Sequence, residues 1–162
     1  MYFDDISVGD RFESGWRPVT QGDVERFSEL TGDRNPIHLD EEYARSTPFG
    51  RRIVPGLLSI SLGLGLWAAA GHTRESLVAL IGLEDVRFLR PVFPGDSLRL
   101  VTRVAEKREL KSRPGAGIAV YEDKVVNNSQ EVVVEFRRTV LLKKRDILPT
   151  QRVKIDGGKE KI

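Results

Sequence analysis

Asp33, Asn35 and His38 fall within one short stretch, GDRNPIHLD at 32–40, arranged around Pro36. A carboxylate and an imidazole complement one another near neutral pH, one accepting a proton where the other relays it. Held together on one rigid loop, they form an acid/base pair able to activate water. Pro36 stiffens the turn and biases Asn35 toward extended backbone, and Asn35 can tie the loop's backbone internally. The same residues have a purely structural alternative, in which Asp33 makes an Asx-type turn and His38 caps the next helix.

Other chemistries find little footing. The chain has two histidines and no cysteine, so there is no thiolate nucleophile, no disulfide framework and no Cys-based metal site. No HExxH or neighbouring ligand set accompanies the histidines, and no metal is expected. A G-x-S-x-G nucleophile elbow is missing. GLGLWA at 63–68 matches G-x-G-x-x-A, with Glu84 near the spacing of a ribose-binding acid. That fingerprint needs a strand before it and β/α alternation after it, whereas strand follows strand here. The glycines are read as close-packing residues, and no cofactor is expected. His72, in AAAGHTRE after an apolar run, reads as a structural residue near the last helix carbonyls.

At 162 residues the chain is one domain with room for a core, and 40% hydrophobic with 31% charged residues is ordinary for a globular protein. The net charge of +2 is interspersed, with a basic bias only near the end. No clustered stripe or reading motif points to nucleic acid. Residues 145–162 read as a solvated, partly flexible basic tail. The acidic, mixed N-terminus lacks a secretory pattern, and with the missing cysteines it suits a cytoplasmic protein.

Around the loop, the elements that must position it are legible. RFESGWRPVT (11–20) has strand character. TQGDVERFSELTG (20–32) reads as a helix capped by Thr20 or Asp23, with Val24, Phe27 and Leu30 recurring and Gly32 closing it. DEEYARST (40–47) suits a short helix that begins with acids. VPGLLSISLGLGLWAAAG (54–71) is apolar on every side but falls short of a membrane span, so a central buried helix is expected. From 78 onward the segments are rich in β-branched residues and several alternate apolar with charged, with Val132, Val134, Phe136 and Val140 on one face, and FPGD, RPGAG and NNSQ supply turns. The expected fold is α+β, a single domain over 1–144 in which an antiparallel sheet curls round one helix.

FSELTGDRNPIHLDEEYA meets the pattern [YF]-x-x-[LV]-[ST]-G-D-x-N-P-[LIV]-H-x5-[AS] at Phe27, Leu30, Thr31, Gly32, Asp33, Asn35, Pro36, Ile37, His38 and Ala44. It resembles the signature of the MaoC-like, (R)-specific enoyl-CoA hydratase family, also called hydratase 2. The resemblance runs on through TPFGRRIVPGLLSISLGLG, FLRPVFPGDSL and the KSRP stretch, up to about residue 144. It implies a hot-dog fold and reversible syn hydration of trans-2-enoyl-CoA to (3R)-hydroxyacyl-CoA. By that resemblance Asp33 and His38 hold one water, Asp33 taking its proton while His38 orients it and shuttles a proton to C2. Gly56 opens the apolar helix, and the resemblance makes its backbone amide the oxyanion donor. Asn35 fixes the loop. Ser61 lines the pocket or merely packs, and Arg51 or Arg52 meets the anionic carrier at the rim.

The implied partners are an acyl-CoA or acyl carrier protein thioester and a second copy of the chain, in a homodimer or a larger assembly of dimers. No nucleic acid or membrane is expected. Close relatives carry histidine where this chain has Pro55, a departure that bears on substrate range. Three alternatives stand beside this reading: dehydration of (3R)-hydroxyacyl groups on a carrier protein, a hot-dog acyl-CoA thioesterase, and a non-catalytic carrier-binding module. Thioesterases lack the GDxNPxH loop, and intact Asp33 and His38 speak against a non-catalytic role.

Overall fold

Two short strands, β1 (Arg11–Glu13) and β2 (Arg17–Pro18), precede a mostly helical stretch, and four long strands fill the second half. The computed structural model describes residues 1–145. The basic tail expected over 145–162 therefore lies, beyond Arg145, outside the described residues. The helices are α1 (Gln21–Thr31), α2 (Pro36–Leu39), α3 (Glu41–Arg45) and α4 (Gly56–Ala69). The long strands are β3 (Leu77–Phe88), β4 (Ser97–Glu109), β5 (Ala116–Asn127) and β6 (Val132–Lys143).

Every strand pairing is antiparallel, in the order β1-β4-β5-β6-β3, with β2 on a second stretch of β4. Register shifts in the β3–β6, β4–β5 and β5–β6 ladders mark irregularities of the kind that bend a sheet. The expected sheet around a helix is borne out: α4 packs on β4, β5 and β6. Leu58, Ile60 and Trp67 of α4 meet Leu98, Leu100, Val104, Val125, Val134 and Val140 in one core. Gly63 permits that approach, since a Cβ there would lie 2.8 Å from Val125 Cγ2.

The expectation that α4 is buried all round needs correction. Leu58, Ser59, Ile60, Gly63 and Trp67 are buried, whereas Leu57 is 65% exposed and Ser61, Gly65 and Ala68 face outward. The sheet covers one side of the helix only, so an apolar side remains open in the single chain. The inward stripe of α1 also differs from expectation. It runs through Val24 and Ser28, while Leu30 is 85% exposed.

The interior also holds a polar cluster. Arg138 occupies the core-facing place between Phe136 and Val140, bonding Asp123 at 2.6 and 3.2 Å. Thr102 donates to the same carboxylate at 2.6 Å, and the guanidinium lies over the Trp67 and Tyr121 rings. Burial pushes the Asp123 carboxyl up, against the opposing pull of Arg138. His72 packs on Trp67 and Phe12, with ring centroids 4.6 and 5.4 Å away, so an aromatic cluster holds it where helix carbonyls were expected.

The outer edge of β3 has no strand partner among the described residues. Leu77, Leu80, Ile81, Leu83, Val86 and Phe88 are all more than a third exposed along it. No helix of the described residues is long and apolar enough to cross a membrane.

Candidate active site

Local chemistry folds the GDRNPIHLD loop. Thr20 and Asp23 cap α1 reciprocally, each side chain accepting from the other's backbone N–H. Gly32 ends the helix at φ 78°, a left-handed conformation that glycine adopts without penalty. The Ser28 hydroxyl donates back to the Asp33 carbonyl. Asp33 Oδ1 accepts the Asn35 N–H at 3.2 Å, and Asn35 Oδ1 accepts the Ile37 N–H at 3.3 Å as the cap of α2. Pro36 sits in the first turn, where its missing N–H costs nothing. Asn35 thus ties the loop internally, as its position suggested.

The one turn of α2 delivers His38. Gln21 Nε2 of α1 donates to the His38 carbonyl at 3.2 Å, and His38 Nδ1 lies 2.8 Å from the Ile53 carbonyl oxygen. A carbonyl only accepts, so Nδ1–H donates to it, and Nε2 is the ring nitrogen left to face a partner. Ile53 and Val54 are stitched in turn to Ile37 and Val92 by backbone hydrogen bonds.

His38 opens onto a cavity of about 470 Å³ that Gly56, Ser59 and Phe88 also line. Its remaining walls are largely aliphatic, with Val54, Val92 and Val134 among them. Gly56 begins α4 at the cavity, where the first-turn amides have no acceptor within the helix. The Phe88 ring fills the space beside it: a Cβ on Gly56 would stand 2.5 Å from Phe88 Cε1. The absent side chain therefore admits Phe88 as well as leaving the amide approachable.

The other candidates are distributed less tightly. Asp33 is exposed and does not line the cavity, and no hydrogen bond joins it to His38 among the described residues. Its Asx-type bond to Asn35 is the structural alternative in part. Ser61 faces outward and donates to the Leu57 carbonyl at 2.8 Å, away from the cavity. The Arg51 guanidinium lies 3.7 Å from the Phe93 ring centroid, and Arg52 pairs with Glu41 at 2.9 Å. The arginine that does line the cavity is Arg90, half exposed and 3.5 Å from Glu131.

Sequence reasoning passed over Ser59 and Arg90. Helical spacing carried the signal for Ser59, which follows Gly56 by three residues and so shares its side of the helix, whereas Ser61 follows by five. Among the described residues no group of three or more His, Cys, Asp or Glu side chains could hold a metal ion.

The 3-hydroxybutyryl-CoA dehydratase of Methylorubrum extorquens is 32% identical over 159 residues, covering 98% of this chain and 95% of that protein. The (R)-specific enoyl-CoA hydratase of Rhodospirillum rubrum is 28% identical over 148 residues, covering 89% and 93%. A further relative is much longer, and the chain spans 29% of it. The crystal structure of the MaoC-like dehydratase from Rhodospirillum rubrum superposes with a TM-score of 0.81 at 29% identity, covering 91% of this chain and 99% of that one. The architecture is that of the hot-dog fold. The sequence profile described as "MaoC like domain" matches residues 6–128. The chain belongs to the MaoC-like domain family.

Proposed function

We propose that this protein adds water reversibly to trans-2-enoyl thioesters, giving (3R)-hydroxyacyl thioesters. The observation that carries the reading is the shared cavity. His38, its Nδ1 anchored on Ile53, and the N-terminus of α4 at Gly56 border one apolar space of about 470 Å³. Relatives named as hydratases and dehydratases support the same chemistry.

In the forward direction the thioester carbonyl lies at the Gly56 amide, which stabilises the negative charge that develops on oxygen as C3 is attacked. A water sits between Asp33 and His38. The Asp33 carboxylate takes its proton, and His38 Nε2 accepts its other hydrogen and aims the oxygen at C3. A proton then passes from the pair to C2, on the face the water attacked, so the addition is syn. The acyl chain occupies the aliphatic walls. Arg90, which lines the cavity, would meet an anionic carrier.

A second copy of the chain fits the open edge of β3 and the uncovered side of α4. Unpaired strand edges bearing Leu, Ile and Val are protected in stable proteins by pairing or covering. The catalytic domain is assigned to 1–144, and the protein to the cytoplasm. Dehydration of (3R)-hydroxyacyl groups on a carrier protein is the same reaction run backward.

The test is loss of conjugated-thioester absorbance on mixing the protein with short- and medium-chain trans-2-enoyl-CoA, followed by chiral separation of the product. The (3R) product is expected. Mostly (3S) product would mean that the substrate lies in the opposite sense, and the role of Gly56 would fall. No absorbance change with any chain length would overturn the hydratase reading.

A further inference from the structure

Ser59 stands one turn beyond Gly56 on α4 and lines the same cavity. It is 2% exposed, and its hydroxyl oxygen is buried with no hydrogen-bond partner among the described residues. Helical serines and threonines ordinarily satisfy the hydroxyl on the carbonyl four residues back. Ser61 does so on Leu57 and Thr31 on Phe27. Ser59 makes only the backbone bond to the Pro55 carbonyl. A hydroxyl left unpaired among aliphatic side chains is less favourable than the methyl group of alanine at the same place. Its neighbours across the cavity, Val54, Val92, Val133 and Val134, offer no side-chain partner. A polar group on whatever fills the cavity would supply the missing partner.

We infer that the Ser59 hydroxyl bonds an oxygen on the acyl chain, so that the preferred substrate is an enoyl thioester with a hydroxyl or carbonyl group at C4 or C5. The inference rests on the seat proposed above for the thioester at Gly56. An α-helix rises about 1.5 Å per residue, which puts Ser59 about 4.5 Å along the helix from Gly56. An extended chain covers about 3.5 Å per three bonds. C4 and C5 therefore reach Ser59, while C2 and C3 stay near the loop that carries His38. An acyl carboxylate fits poorly. Among the cavity's described lining residues the permanently charged cation is Arg90, which is half exposed and faces Glu131.

The experiment compares kcat/KM for trans-2-hexenoyl-CoA with its 4-hydroxy and 5-hydroxy analogues, in the wild type and in Ser59→Ala. The wild type is expected to favour one hydroxylated analogue by about tenfold, the worth of one well-made hydrogen bond. Ser59→Ala is expected to erase that preference, the favoured hydroxylated analogue losing about tenfold more than hexenoyl-CoA. A wild type that favours the plain chain overturns the inference, and this readout needs no variant to fold. Equal losses on all three substrates in Ser59→Ala also overturn it, because the hydroxyl would then serve the reacting centre or the packing. Failure of the folded wild type to turn over any of the three removes the hydratase reading itself, and this inference with it.

Discussion

Replacing Gly56 with alanine should separate stability from turnover. The added Cβ would stand 2.5, 2.8 and 2.9 Å from three carbons of the Phe88 ring. Carbon–carbon contact is comfortable from roughly 3.5 Å, so the ring must retreat by about 1 Å. Phe88 is the last residue of β3 and 55% exposed, so it has room to turn outward. Alanine in a helix gains up to about 1 kcal/mol over glycine, which offsets much of the ring's displacement. The net change in stability should stay within about 1 kcal/mol, or about 2–4 °C in Tm. Turnover is a different matter, because the new methyl group and the displaced ring stand against the amide proposed to receive the thioester oxygen. Losing one such donor lowers kcat by about a hundredfold to a thousandfold. Thermal melts followed by circular dichroism, with steady-state hydration of crotonyl-CoA, measure both quantities. A folded Gly56→Ala protein with wild-type kcat would refute the placement of the carbonyl at the α4 N-terminus.

Two further perturbations test the framework around the site. Arg138→Met leaves the Asp123 carboxylate buried without its cation and should cost about 3–5 kcal/mol, visible as a Tm fall of about 10 °C. The double change with Asp123→Leu should recover most of that loss, since an apolar pair of similar size replaces a buried ion pair at little cost. His72 is held below its ordinary 6.5, first by burial and second by the N-terminal ammonium. The unfolded chain then takes up the proton first, so stability is complete above 6.5 and is lost as pH falls through the folded value. Urea melts above and below that pH should show the loss in wild type and its disappearance in His72→Gln, with turnover changed by no more than a few fold.

Where local rules decide, the sequence was a reliable guide. Thr20, Asp23 and Gly32 bound α1 as their types require, and β-branched runs, several of them alternating with period two, marked the four long strands. Asn35, Pro36 and His38 fell on one capped turn because each bond there spans only two to four residues. Legibility ended where a side chain's surroundings come from distant chain. Arg138 sits on an apolar face because Asp123 and Thr102, on other strands, complete its bonds. An apolar α4 looked buried on every side, although the sheet of one chain covers only part of it. Ser61 faces outward while Ser59, three residues after Gly56, shares its side of the helix and lines the cavity, and Arg51 and Arg52 have partners, Phe93 and Glu41, that sequence alone does not reveal.

The central claim is that Asp33 and His38 act as one acid/base unit, although Asp33 lies outside the cavity lining and has no direct hydrogen bond to His38. The decisive measurement is kcat for hydration of crotonyl-CoA by wild type, Asp33→Asn, His38→Ala and the double variant, each checked for native circular dichroism. Each single change should lower kcat by at least about a hundredfold. The double variant should fall little below the worse single one, because groups that act as a unit are not additive. Near-normal turnover by folded Asp33→Asn would contradict the account and leave Asp33 as the structural turn residue that its bond to Asn35 also describes.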